Sequence, residues 1–186
     1  MTTVFLSGSR KISRINDAIR QRINNMIEQR HDIIIGDANG ADKAMQTYLA
    51  ERQYDRVTVY FVGNAYRNNV GAWPTEQVFA PSHMTGREFY TLKDKEMAHA
   101  ADFGLVLWDG KSAGTISNVL EMLKFGKKVV VYFSLEKRFF TLAKGEDAEQ
   151  LINKCDPESV SEMSHKIKLT GALREISNAR QTSLAL

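Results

Sequence analysis

Leu105-Val106-Leu107-Trp108-Asp109-Gly110-Lys111-Ser112-Ala113-Gly114-Thr115 carries the strongest structural signal in the chain. The apolar run reads as a buried strand, and a small, polar, glycine-containing turn follows it. A helical pattern then extends over residues 115–125. Such a turn presents backbone N–H groups and hydroxyls at the positive end of a helix, where a phosphate binds well. Comparable turns stand upstream at Ser7-Gly8-Ser9-Arg10 and at Gly36-Asp37-Ala38-Asn39-Gly40-Ala41-Asp42. Three of them in one short chain point to a site for a nucleotide-like ligand.

Residues 3–6 are β-branched and aromatic and predict a first strand. Ile12, Ile15, Ile19, Ile23, Met26 and Ile27 keep the period of an amphipathic helix, with arginines on its other face. Strands are predicted over 32–35, 57–62, 103–108 and 128–133, and helices over 43–54 and 87–101. Residues 63–86 show no regular period and carry Pro74 and Pro81. A connection of that length is typically a lid or a binding loop. Strands alternating with helices imply an α/β fold with a mostly parallel sheet and helices on both faces. Ligands of such sheets sit beyond the carboxyl ends of the strands, where all three glycine-containing turns fall. After residue 132 the pattern weakens. A short strand over 139–142 and helices over 146–153 and 158–167 are read there, ahead of a polar tail from residue 169.

The chain has 186 residues, 43% hydrophobic and 25% charged, which fits one globular domain with a small appendage. Its net charge of +3 comes from scattered basic residues, so a nucleic-acid partner is not expected. A single-stranded DNA site would need a basic groove with interleaved aromatics, and none is visible. Cys155 is the lone cysteine, and the four histidines have no ligand spacing, so neither a metal site nor a cofactor is expected. No signal peptide and no apolar run of membrane-spanning length stand out, and the chain reads as cytoplasmic.

Several residues could carry chemistry. Ser7, Ser9 and Arg10 around Gly8 could hold an anion, or could form an ordinary strand-to-helix loop with Ser13 as the N-cap. Gly36 and Gly40 allow close backbone approach. Asp37 and Asn39 are candidates for ligand contact, whereas Asp42 reads as the N-cap of the next helix. Tyr90, Asp94, Met97, Ala98 and Ala101 share one helical face, with Lys93 beside it. An acid in an apolar stripe must be paired or stand at the rim of a cleft, although a plain surface charge cluster would look the same. At the third turn Ser112, Gly114 and Thr115 could cradle a phosphate, with Asp109 in the cleft and Asn118 near its mouth. Arg67, Asn68, Asn69 and Trp73 in the long loop suit a base or sugar, or a loop packed down by its indole.

On these residues the chain resembles the SLOG superfamily, named for DNA-processing proteins and the lonely-guy phosphoribohydrolases, and in particular its small branch related to YspA and YpsA. The resemblance spans residues 3–133. It rests on Gly8-Ser9-Arg10, the turn from Gly36 to Asp42, Lys93-Asp94 ahead of Met97, and Gly114-Thr115. It implies a Rossmann-like nucleotide-binding domain over residues 1–134, an extension of unassigned role over 135–186, and a homodimer. Phosphoribohydrolases of the superfamily carry a Pro-Gly-Gly-x-Gly-Thr-x-x-Glu motif, whose Glu assists N-glycosidic cleavage, and an Arg on the preceding helix. Here Lys111-Ser112-Ala113 replaces Pro-Gly-Gly, Asn118 replaces the Glu and Lys93 replaces the Arg. An amide cannot titrate, and general acid–base assistance is worth roughly 10²–10⁴-fold. Either Asp94, Asp109 or Asp37 supplies the missing carboxylate, or the site binds without cleaving.

Overall fold

In a computed structural model, which describes residues 1–81 and 83–184, the apolar runs form one seven-stranded sheet. Its strands are β1 (Thr3–Gly8), β2 (Asp32–Gly36), β3 (Val57–Val62), β4 (Thr75–Val78), β5 (Phe103–Trp108), β6 (Val129–Phe133) and β7 (Arg138–Leu142). They lie in the order β4-β3-β2-β1-β5-β6-β7, and all neighbours are parallel except β6 and β7. The exception follows from chain length. Only residues 134–137 separate β6 from β7, enough for a hairpin but far too few for the crossover a parallel pair requires.

Seven helices cover the sheet: α1 (Asp17–Glu28), α2 (Ala41–Glu51), α3 (Gly86–Ala100), α4 (Ala113–Lys124), α5 (Gly145–Ile152), α6 (Pro157–Ile167) and α7 (Leu169–Leu184). The inner strands are apolar at successive positions because both of their faces are buried. Val4 and Leu6 of β1, with Leu105 and Leu107 of β5, pack into one core with α1 and α2. The alternate residues Phe5, Val106 and Trp108 pack into a second core with α3 to α7. The doubly wound, Rossmann-like arrangement expected from the sequence is therefore present. The segment after residue 134 adds β7 to the same sheet, and Leu142, Leu151, Met163 and Ile176 to the second core.

Three local readings are corrected. Residues 63–86 contain β4, which pairs with β3 in register Val59 to Thr75. Its sequence Thr-Glu-Gln-Val is polar because it is an edge strand with little to bury. The helix expected over 12–27 begins at Asp17, and its N-cap is Asn16, not Ser13. The Asn16 side chain accepts from Ile19 N at 3.0 Å, while Ile12 and Ile15 pin the preceding loop onto the core. Asp42 is not a cap either. Gly40, at φ +83°, precedes α2, and Asp42 lies buried inside its first turn.

Candidate functional site

The sheet order reverses between β1 and β5, since the chain builds one half outward from β1 and then returns to lay β5 on its other side. The helices that follow these two strands diverge there and leave a crevice at the strands' carboxyl ends. A cleft of about 870 Å³ occupies this position. The turns after β1 and β5 form two of its walls, α3 forms a third, and α6 a fourth.

Hydroxyls and one carboxylate lock the two turns together. Ser9 is fully buried beneath the cleft, and its Oγ donates to Asp109 Oδ1 (3.0 Å) and lies 3.1 Å from Thr115 Oγ1. Asp109 Oδ1 also accepts from the backbone N–H groups of Lys111 (3.0 Å) and Ser112 (2.8 Å). Ser112 caps α4, its Oγ accepting from Thr115 N (3.3 Å) and Thr115 Oγ1 (2.8 Å). The amino end of α4 thus faces the cleft in a fixed conformation, with Gly114 and Ser112 on its wall. Arg10, Lys11 and Lys111 bring positive charge to the same opening.

The floor is charged as well. Lys93 is only 4% exposed, and its Nζ donates to Asp94 Oδ1 at 2.7 Å. On α3 it is the lysine that sits buried, whereas Asp94 turns toward the cleft. Burial alone would lower the Lys93 pKa, but Asp94 and Asp42 outweigh it and raise the value above its ordinary level. Asn118 reaches the same carboxylate. Oriented so that its amide oxygen accepts from Ser7 Oγ (2.8 Å), its nitrogen donates to Asp94 Oδ2 (3.2 Å) and Gly114 O (3.1 Å). That orientation, not the reverse, satisfies both ends of the amide. Both oxygens of Asp94 are thereby held. Ser7, Gly8, Lys93, Asp94 and Asn118 all line the cleft.

The second turn has a different role. Asp37 accepts two hydrogen bonds from the Arg67 guanidinium (2.6 and 2.9 Å) and a third from Arg67 N (3.0 Å). Burial pushes its carboxyl up, but Arg67 more than offsets this and holds it below the usual carboxylate value. Asn68 donates to Asp37 O (2.8 Å) and Asn39 Oδ1 (3.0 Å), so Asn39 also serves to hold the loop. Asn69 clasps Trp73 through both amide ends, and the indole donates to Tyr54 O at 2.8 Å from within the core. Of the four loop residues expected at a base or sugar, only Arg67 lines the cleft. Its guanidinium lies 4.9 Å from the centre of the Tyr90 ring, which Arg10 approaches to 6.0 Å. Asp37, Asn39, Gly40, Asn68, Asn69 and Trp73 stand behind the wall.

Sequence reasoning missed three contributors. Gln46 is fully buried and ties the loop to the sheet, donating to Gly36 O (2.9 Å) and accepting from Val70 N (3.0 Å). Its signal was an amide on the core face of a helix. Asp42 lies beside Lys93 at the floor. Glu158, Ser159 and Glu162 of α6 complete the fourth wall, and no local pattern could have joined them to turns more than forty residues away. Among the described residues, no group of three or more histidine, cysteine or acidic side chains is placed to hold a metal ion. None of the helices described is long and apolar enough to cross a membrane. In comparisons with known proteins, no family model and no curated protein matches this chain.

Proposed function

We propose that this chain is a cytoplasmic protein that binds a nucleoside phosphate in the switch-point cleft and hydrolyses its N-glycosidic bond. The phosphate lies against Ser112, Gly114 and Thr115 at the amino end of α4, where the helix dipole and the rim cations favour negative charge. The sugar then sits over Asp94. In the reaction the bond from C1′ to the base breaks, and water supplies a hydroxyl to C1′ and a proton to the departing base. Asp94 faces the positive charge that develops at C1′ and orients the attacking water. Asn118 does not replace the carboxylate that the SLOG resemblance leads one to expect at its position. It aims Asp94 instead. The observation that carries this reading is the pairing of Asp94 with Lys93 on one oxygen and Asn118 on the other, at the floor of the cleft. Asp109 holds the turn instead, its Oδ1 accepting from Ser9 Oγ and from the backbone N–H groups of Lys111 and Ser112.

The test is a panel of nucleoside phosphates incubated with pure protein and read by mass spectrometry for free base. Release of one base, lost in Asp94→Asn with ligand retention intact, is the expected result. Unchanged release from Asp94→Asn would overturn the assignment. A second reading, a sensing module without chemistry, is favoured by the same hydrogen bonds, since donors on both oxygens partly neutralise Asp94. It predicts an intact panel and one retained nucleotide. At one hundred times its dissociation constant that nucleotide would stabilise the fold by about 2.7 kcal/mol. The homodimer implied by the resemblance belongs to this proposal too, and sedimentation velocity tests it.

A further inference from the structure

The floor of the cleft holds more negative than positive charge. Asp42 and Asp94 stand there, with Asp37 behind them, against Arg67 and Lys93, and the Arg67 guanidinium is already engaged by both oxygens of Asp37. Lys93 is left as the cation nearest two carboxylates, and it bonds only one of them. Its ammonium bonds Asp94 at 2.7 Å, and it shares with Asp42 the small space that Gly36 leaves open. A Cβ on Gly36 would stand 2.6 Å from Asp42 Oδ2 and 2.8 Å from Lys93 Nζ, so only a glycine leaves room for both side chains there. Asp42 Oδ2 accepts only a 3.3 Å bond from Ala38 N, and its Oδ1 is buried with no hydrogen-bond partner among the described residues. A buried carboxylate oxygen left unsatisfied is costly while ionised and far less so once protonated.

We infer that Asp42 is a positioning residue of the cleft, which by taking up or releasing one proton sets the charge beside the Lys93–Asp94 pair, and hence how strongly the cleft holds an anion. This inference rests on the anion-binding reading of the cleft. The groups facing Asp42 are Lys93 and Asp94 from α3, Asp37 from the turn after β2, and Arg67 from the long loop. Burial pushes the Asp42 carboxyl up to about 7, with Lys93 opposing the rise and Asp94 adding to it. With Asp42 protonated, the five groups sum to zero. With Asp42 ionised, the floor carries one net negative charge and repels an incoming anion. Anion affinity therefore falls as pH rises through the Asp42 midpoint, and by linkage a bound anion must raise that midpoint.

Carboxyl-carbon NMR of the full chain tests this directly, with the Asp42 signal assigned by its absence in Asp42→Asn. The probe is sulfate, whose charge is constant over the range titrated. The expected midpoint for the free protein is near neutrality, and saturating sulfate moves it upward. An upward shift of about one unit corresponds to about tenfold tighter binding to the protonated form. Lys93→Met should raise the midpoint as well, because the opposing cation is gone. A midpoint in the ordinary carboxylate range overturns the inference, and so does a midpoint that sulfate leaves unmoved. Neither result depends on nucleotide turnover, so an inert nucleotide panel with a titrating, sulfate-sensitive Asp42 would sink the proposed reaction alone.

Discussion

Ser9 Oγ and Thr115 Oγ1 lie 3.1 Å apart, each almost wholly buried, although 106 positions separate them in the chain. Through this contact the turn after β1 and the start of α4 become one rigid unit. Ser9 also donates to Asp109 and accepts from Asp109 N at 3.2 Å, so a single hydroxyl serves both turns.

Replacing Ser9 by alanine should therefore cost more than one ordinary hydrogen bond. Asp109 Oδ1 loses a donor and Thr115 loses a neighbour in a place that water does not freely reach. Urea denaturation should register a loss of about 1–3 kcal/mol, the cost of leaving buried polar groups unsatisfied. Affinity for phosphate-bearing ligands should drop with it. A variant as stable as the parent would show that the turns are held by the backbone alone.

Asp37 and Arg67 fasten the long loop to the sheet. Asp37→Asn keeps the shape of the side chain but removes its charge and one bidentate acceptor. Because the Arg67 side chain is about one-third exposed, the expected loss is about 1–3 kcal/mol, below the 3–5 kcal/mol for breaking a fully buried pair. Amide exchange over residues 64–72 should accelerate by more than exchange in the sheet. Equal acceleration everywhere would mean that the pair stabilises the whole fold and does not hold the loop specifically.

Trp73 separates a packing role from a recognition role. Its ring is buried against α2 and β3, and its N–H is committed to Tyr54 O. Trp73→Phe should lower stability by about 1–3 kcal/mol through lost volume and an orphaned carbonyl. Ligand affinity, measured where the variant is fully folded, should change little. A large affinity loss without a stability loss would put the indole back at the ligand.

Asp42 gives stability a pH signature. Its carboxyl has a value of about 7 in the folded chain against 3.8 as the ordinary reference, so between these values the folded state binds the proton more tightly. Stability is then highest near or below the lower value and declines as pH rises through the window, levelling off above about 7. The full decline is of order 4 kcal/mol at about 1.4 kcal/mol per unit. Asp37 has the opposite sign, contributing stability above its ordinary value and losing it in more acid solution, so it does not mask the trend. Urea midpoints measured from pH 5 to 8 should fall for the parent and flatten for Asp42→Asn. Parallel curves for the two proteins would remove Asp42 as the cause.

The buried strands were legible because an inner parallel strand must be apolar on both faces, and 103–108 could be little else. The glycine-containing turns were legible for a related reason, since close approach of backbone to helix leaves a glycine in the sequence. What could not be read was the partnership among polar groups. Asp94 and Lys93 are adjacent in sequence, and only the seating of α3 on the sheet decides that the lysine goes inward. Asp42 resembled a cap because an acid near a helix start usually is one. β4 escaped because an exposed edge strand has no hydrophobic period to betray it. The α6 wall escaped because residues 157–167 are brought to the turns by tertiary packing, including that against α4.

That last wall has a consequence for how the protein comes into being. The three turns and every strand of the parallel sheet are complete once residue 133 has been made, yet Glu158, Ser159 and Glu162 are added only afterwards. During synthesis the growing chain therefore passes through a stage at which the turns have been made but the cleft is not yet enclosed. The cleft gains its fourth wall only when α6 has been made and has docked.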